Sequence, residues 1–235
     1  MGRKNKNKKS VQQNANKVIQ VKSSTYGKHT RAPRGSKTTA TVNEVLAANA
    51  EKTNTLNTAA KTIYDLLKLY SDIFREGQLW QTMLSRMRKV KDTHFEKLLY
   101  TLNGLELNSR YALSRFGYLA MLTIKNNKKE LQIEMDQDMP PYLNQHDNCY
   151  QYELIGMLFN GKGNCIQHAR HATKWFNKKE AMHKQVFNFQ KPAGAKYYLL
   201  CLHLQSGMHG VARDTFPSRG MAIVGVGSVL EEKGK

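Results

Sequence analysis

The chain has 235 residues, 40% of them apolar, and a formal net charge of +19, from 37 Lys or Arg against 18 Asp or Glu. That length holds one large domain or two small ones, and its longest apolar runs, 116–124 and 221–230, are strand-sized, well short of the ~20 residues that cross a bilayer. No apolar run follows the basic start as a secretory signal requires, and the widely spaced Cys149, Cys165 and Cys201 suit reduced thiols in a cytoplasmic setting better than a disulfide framework.

The first 43 residues carry eleven cations and no acid; the first acid is Glu44. The cations are Arg3, Lys4, Lys6, Lys8, Lys9, Lys17, Lys22, Lys28, Arg31, Arg34 and Lys37. They supply +11 of the net charge and leave +8 for the rest, so the body is basic too. With so few large apolar residues, this segment cannot bury enough surface to offset its ordering entropy. It is expected to be a disordered basic arm, of the kind that commonly binds polyanions. Tyr26 and His29 stand among the cations, where they could stack on exposed bases.

From about Thr41 the pattern turns helical. Asn43 is placed to cap a helix whose first residue, Glu44, complements the positive end of the dipole. From Leu56 through Ile63, Leu67 and Tyr70 the apolar spacing is three and four. The Thr/Asn cluster at 53–58 is a weak helix former, so the stretch reads as one helix or two. Gly77 marks a stop. Leu79, Trp80, Met83, Leu84 and Met87 then give a second amphipathic helix. Its tail holds Arg86, Arg88, Lys89 and Lys91, a candidate phosphate-facing stripe near Arg75 and Lys97, and equally a solvated helix end. Residues 79–91 after the turn at Glu76 and Gly77 also permit a recognition helix, but the apolar face reads more simply as core. A short third helix is expected over 93–102, ended by Asn103 and Gly104.

After residue 110 the period shortens to two. Strands are expected over 116–124, over 131–135, around Tyr150 to Leu158, over 197–205 and over 221–230, with a turn at 160–164. Residues 165–185 fit a helix or an irregular strand pair. The expected fold is therefore α+β: a disordered basic N-terminal arm over 1–43, a segment of two or three helices over 44–109, and a mainly antiparallel β-sandwich or open barrel over 110–235. The junction lies within 107–114.

Several residue groups resemble reactive sites and carry simpler readings. Cys165, His168 and His171, with His183 beyond, are metal-ligand types, yet on a strand His168 faces away from the other two. Cys201 and His203 share a strand face, which alone does not activate a thiol. Glu130 with Glu134, and Asp136 with Asp138, form acidic pairs that any strand edge can show. Gly161 and Gly163 lack the Lys-Ser/Thr of a phosphate loop, and Gly225-Val226-Gly227-Ser228 is not a nucleophile elbow. No catalytic residue, metal or cofactor is expected.

No family's motifs match residue by residue. In outline, an acid-free basic arm ahead of a β-rich body is similar to coat and packaging proteins that hold nucleic acid. The expected role is a non-enzymatic nucleic-acid-binding or packaging protein acting largely without sequence preference. The alternatives are an assembly protein whose β domain self-associates or binds a protein partner, and a nucleic-acid-processing enzyme. DNA or RNA is the expected partner, with no membrane insertion.

Overall fold

The computed structural model describes residues 19–23, 27–31, 44–71, 77–117 and 120–229. The chain divides into two compact units, 1–49 and 50–235.

In the first unit, β1 (Ile19–Ser23) and β2 (Gly27–Arg31) pair antiparallel, with Ile19 opposite Arg31 and Lys22 opposite Lys28. Ile19 and Val21 alternate with Gln20 and Lys22, the period of a strand. The run is too short and too polar to stand out within the arm, and the sequence reading contains no element there.

Helix α1 spans Glu44–Ser71 without a break across the Thr/Asn cluster. Two threonines bond back along the helix: Thr55 Oγ1 donates to Glu51 O at 3.1 Å and Thr62 Oγ1 to Thr58 O at 3.2 Å. Such bonds occupy the threonine hydroxyls at a slight cost to the helix, which the burial of Leu56, Ile63 and Leu67 offsets. Helices α2 (Leu79–Met87) and α3 (Phe95–Tyr100) follow as expected.

Strands β3 (Met121–Asn126), β4 (Glu130–Asp136) and β8 (Gln185–Gln190) form a three-stranded antiparallel sheet in the order β3-β4-β8. The larger sheet is built on β5 (Cys149–Phe159) and β9 (Tyr197–Met208), which pair along eleven positions from Cys149↔Gly207 to Phe159↔Tyr197. β6 (Cys165–Ala172) and the two-residue β7 (Phe176–Asn177) flank β5, while β10 (Val211–Ala212) and β11 (Arg219–Ser228) flank β9. Together the antiparallel sheets curl into a half-barrel.

Two apolar cores explain this arrangement. One face of the large sheet, with Ile155, Met157, Phe159, Leu199, Cys201, Met221 and Ile223, packs under Leu56, Ile63, Leu67, Met83, Met87 and Leu98 of the helices. The other face, with Tyr152, Leu154, Leu200 and Leu202, packs on Leu131, Ile133, Met135 and Phe189 of the small sheet. β5 and β9 are thus covered on both faces, which is why both are buried almost end to end instead of alternating.

Three details differ from the sequence reading. The apolar run at 116–124 is not one strand: residues Leu113–Phe116 form a 3-10 turn, Gly117 turns the chain at φ +72°, and β3 starts only at Met121. Residues 165–185 contain β6 and β7 and no helix among the described residues. β8 has no counterpart among the expected strands, although Phe187 and Phe189 at period two are its readable signal.

Candidate functional site

The predicted cations fall into two groups. Arg3, Lys4, Lys6, Lys8, Lys9, Lys17, Arg34 and Lys37 lie outside the described residues, as does Tyr26. Lys22, Lys28 and Arg31 lie on the β1–β2 hairpin, where the register sets Lys22 directly opposite Lys28.

The stripe at the end of α2 separates into unlike residues. Arg88, Lys89 and Lys91 are exposed. Arg86 is half-buried, and its guanidinium donates to Asn103 O at 3.1 Å and Gly104 O at 3.5 Å. Arg86 therefore ties α2 to the turn after α3, leaving three free-standing cations at the helix end. Leu79, Met83, Leu84 and Met87 are buried on the opposite face, as expected of a core helix. Arg75 lies outside the described residues.

One cluster of polar chemistry in the second unit is buried on the helix-covered face of the large sheet. Glu153 (3% exposed) and His203 (6%) are register partners on β5 and β9. Glu153 Oε2 lies 2.7 Å from His203 Nδ1, and Oε1 accepts from Arg170 Nη2 and from Gln205 Nε2 at 3.3 Å. Burial pushes the Glu153 carboxyl up, but the bonds and charges of His203 and Arg170 outweigh it and hold it below its ordinary value. Such a carboxylate is committed to its partners and serves the sheet as a cross-strand clamp.

A second buried carboxylate, Asp147, accepts from Ser206 Oγ at 2.5 Å and Ser218 Oγ at 2.9 Å, and faces Arg213 Nε at 2.9 Å. Both serine hydroxyls spend their protons on the acid. A nucleophilic serine instead donates to a histidine base, so this cluster reads as the fastening of the β9–β10 end to the loop before β11.

The remaining candidates are also held by structure. Cys201 is fully buried and its thiol is pushed far up by burial; Cys165 is raised by the same cause. β6 sets His168 opposite Met157 and His171 opposite Leu154, hence on opposite faces of the sheet. His168 Nδ1 lies 2.5 Å from the Tyr70 hydroxyl, while His171 packs edge-on against Phe189. Among the described residues, no three His, Cys, Asp or Glu are grouped to hold a metal. Glu134 takes hydrogen bonds from Lys125 (2.5 Å) and Lys184 (2.9 Å), which hold its carboxyl below the ordinary value.

No protein-family model matches this chain. No curated protein matches it either. Among solved structures, a penta-heme cytochrome c552 from Thermochromatium tepidum aligns at 11% identity and a TM-score of 0.31, covering 49% of this chain and 40% of that one.

Proposed function

We propose that this chain is a non-enzymatic nucleic-acid-binding or packaging protein whose N-terminal segment holds DNA or RNA by charge, largely without regard to sequence. One observation carries the reading: eleven cations and no acid in the first 43 residues. Each cation that neutralises a phosphate releases a condensed counterion, and that release supplies affinity independent of base sequence. Arg88, Lys89 and Lys91 add exposed charge from the second unit.

The engagement of Glu153, Asp147 and Cys201 in sheet structure supports binding over catalysis. Among the described residues no helix is long and apolar enough to cross a membrane.

The test is a full-length variant with the eleven arm cations changed to Gln, compared with the parent by fluorescence anisotropy on mixed-sequence DNA and RNA. The reading expects a large loss of affinity with an unchanged circular dichroism spectrum. Equal affinity would remove it.

A second reading, assembly through the β region, is favoured by the outer edge of β6, which pairs with no other strand among the described residues and exposes Ile166. Sedimentation velocity over a concentration series tests it: growth in mass supports assembly, and a concentration-independent monomer counts against it.

A further inference from the structure

Two loops from distant parts of the second unit meet in a small aromatic stack at the surface. The rings of Tyr111 and Phe216 lie 5.4 Å apart and nearly parallel, at 14°. Phe216 remains 45% exposed. Phe216 opens the 3-10 turn Phe216–Ser218 that leads into β11.

Arg115 braces the stack. Arg115 places its guanidinium 5.2 Å from the Tyr111 ring centre and 4.8 Å from that of Phe116. Its Nη2 donates to the carbonyls of Phe216 (3.2 Å), Pro217 and Arg219 (2.8 Å), gripping the loop that carries the exposed ring. On the other side, Asn108 Oδ1 accepts from the backbone N–H of Arg110 and Tyr111, and the Glu106 carboxylate accepts from those of Leu113 and Ser114. Arg110 is exposed, with its guanidinium 5.5 Å from the Tyr111 ring centre. Besides Glu106, whose carboxylate oxygens accept the Leu113 and Ser114 N–H groups, Asp214 lies two residues before Phe216, its carboxylate 3.4 Å from Arg219 Nη2.

A flat, part-exposed ring stacked on a second ring that carries an exposed cation is a simple unit of single-strand recognition. Any base can stack on the ring, and the cation meets the backbone phosphate. Bases in a duplex are already stacked on one another and offer no such face.

We infer that Phe216, backed by Tyr111 with the exposed Arg110 against the Tyr111 ring, is a stacking step for an unpaired base of single-stranded DNA or RNA. The inference rests on the nucleic-acid reading above and gives it a strand preference that charge alone does not supply.

The experiment uses the full-length protein with labelled oligothymidylate, oligouridylate and a mixed-sequence duplex across a salt series. Phe216→Ala is expected to weaken single-strand binding by about tenfold, within the range for loss of one stacked base. Its salt dependence and duplex affinity stay unchanged, and Phe216→Tyr restores the loss. Arg110→Gln lowers the log–log salt slope on single strands by about 0.7, the contribution of one phosphate contact. In Phe216→Trp, the added indole fluorescence is quenched by both oligonucleotides, which gives a readout that does not depend on losing function. Quenching by oligouridylate alone or oligothymidylate alone assigns the step to RNA or to DNA. Unchanged single-strand affinity in Phe216→Ala, with no quenching in Phe216→Trp, overturns the inference and leaves electrostatic binding by the arm intact. A parent protein that binds none of the three probes overturns both readings.

Discussion

Glu153 and His203 face each other as register partners on β5 and β9, carboxylate to imidazole at 2.7 Å, beneath the helical layer. Arg170, on the next strand over, reaches the other carboxylate oxygen. Three adjacent strands are thereby joined through one buried acid. Removing one member of a buried pair leaves its partner uncompensated. Glu153→Ala is expected to cost about 3 kcal/mol of unfolding free energy, measured by urea titration at neutral pH. A change within about 0.5 kcal/mol, the ordinary surface range, would deny the clamp.

The same acid predicts a pH dependence. Its folded carboxyl lies below the ordinary value of 4.5, so the folded state binds fewer protons than the unfolded state in that window. Its contribution is complete above the unfolded pKa and is lost as pH falls through the depressed folded one. The urea midpoint should lose a Glu153-dependent component only below about pH 4.5. Glu153→Gln should flatten the acid limb relative to the parent. Identical limbs would place the acid sensitivity elsewhere.

Gly163 ends the 160–164 turn at φ +82°, and a Cβ there would fall 2.4 Å from Cδ2 of Phe95. Phe95 is wedged between Phe159 and Tyr197, with ring centres 5.2 and 5.8 Å away. Both the backbone and the packing therefore resist a side chain. Gly163→Ala is expected to destabilise by about 2 kcal/mol, the usual cost of a non-glycine residue held in such a conformation. Thermal unfolding checks it, and a neutral substitution would show that the loop and Phe95 can move together.

Arg86 and Arg88 are two residues apart and predicted to behave oppositely. Arg86→Ala removes the bonds to Asn103 O and Gly104 O and should cost about 1 kcal/mol of stability. Arg88→Ala is exposed and should leave stability unchanged within about 0.5 kcal/mol, while weakening nucleic-acid binding at low salt. Chemical denaturation and anisotropy on the same two variants separate the roles. A reversed pattern would exchange the structural and binding residues.

Much of the fold was legible because its signals are local. The three-and-four spacing of Leu56, Ile63 and Leu67, the second helix on Leu79, Met83 and Met87, and the turn at Asn160 are each written within a few residues; the expected helix end before Gly77 falls on 72–76, outside the described residues. Where tertiary context decides, the sequence misled or was silent. The run at 116–124 looks like one strand because composition hides the left-handed turn at Gly117. β8 carries Phe187 and Phe189 inward, but with Val186 outward and Lys184 and Lys191 at its ends the alternation is blurred. For the candidate site, the cations were legible as charge, whereas the tethering of Arg86 depends on carbonyls 17 and 18 residues away. The stacking of Tyr111 on Phe216 joins loops 105 positions apart in the chain, and no local pattern encodes it.

The most direct measurement is the salt dependence of full-length protein binding to mixed-sequence duplex DNA. If the arm meets about five to eight phosphates, the slope of log affinity against log salt is about −4 to −7. A slope in that range, largely lost when the arm cations become Gln, is the predicted result. Weak binding at low salt, or a slope near zero, would contradict electrostatic nucleic-acid binding by this chain.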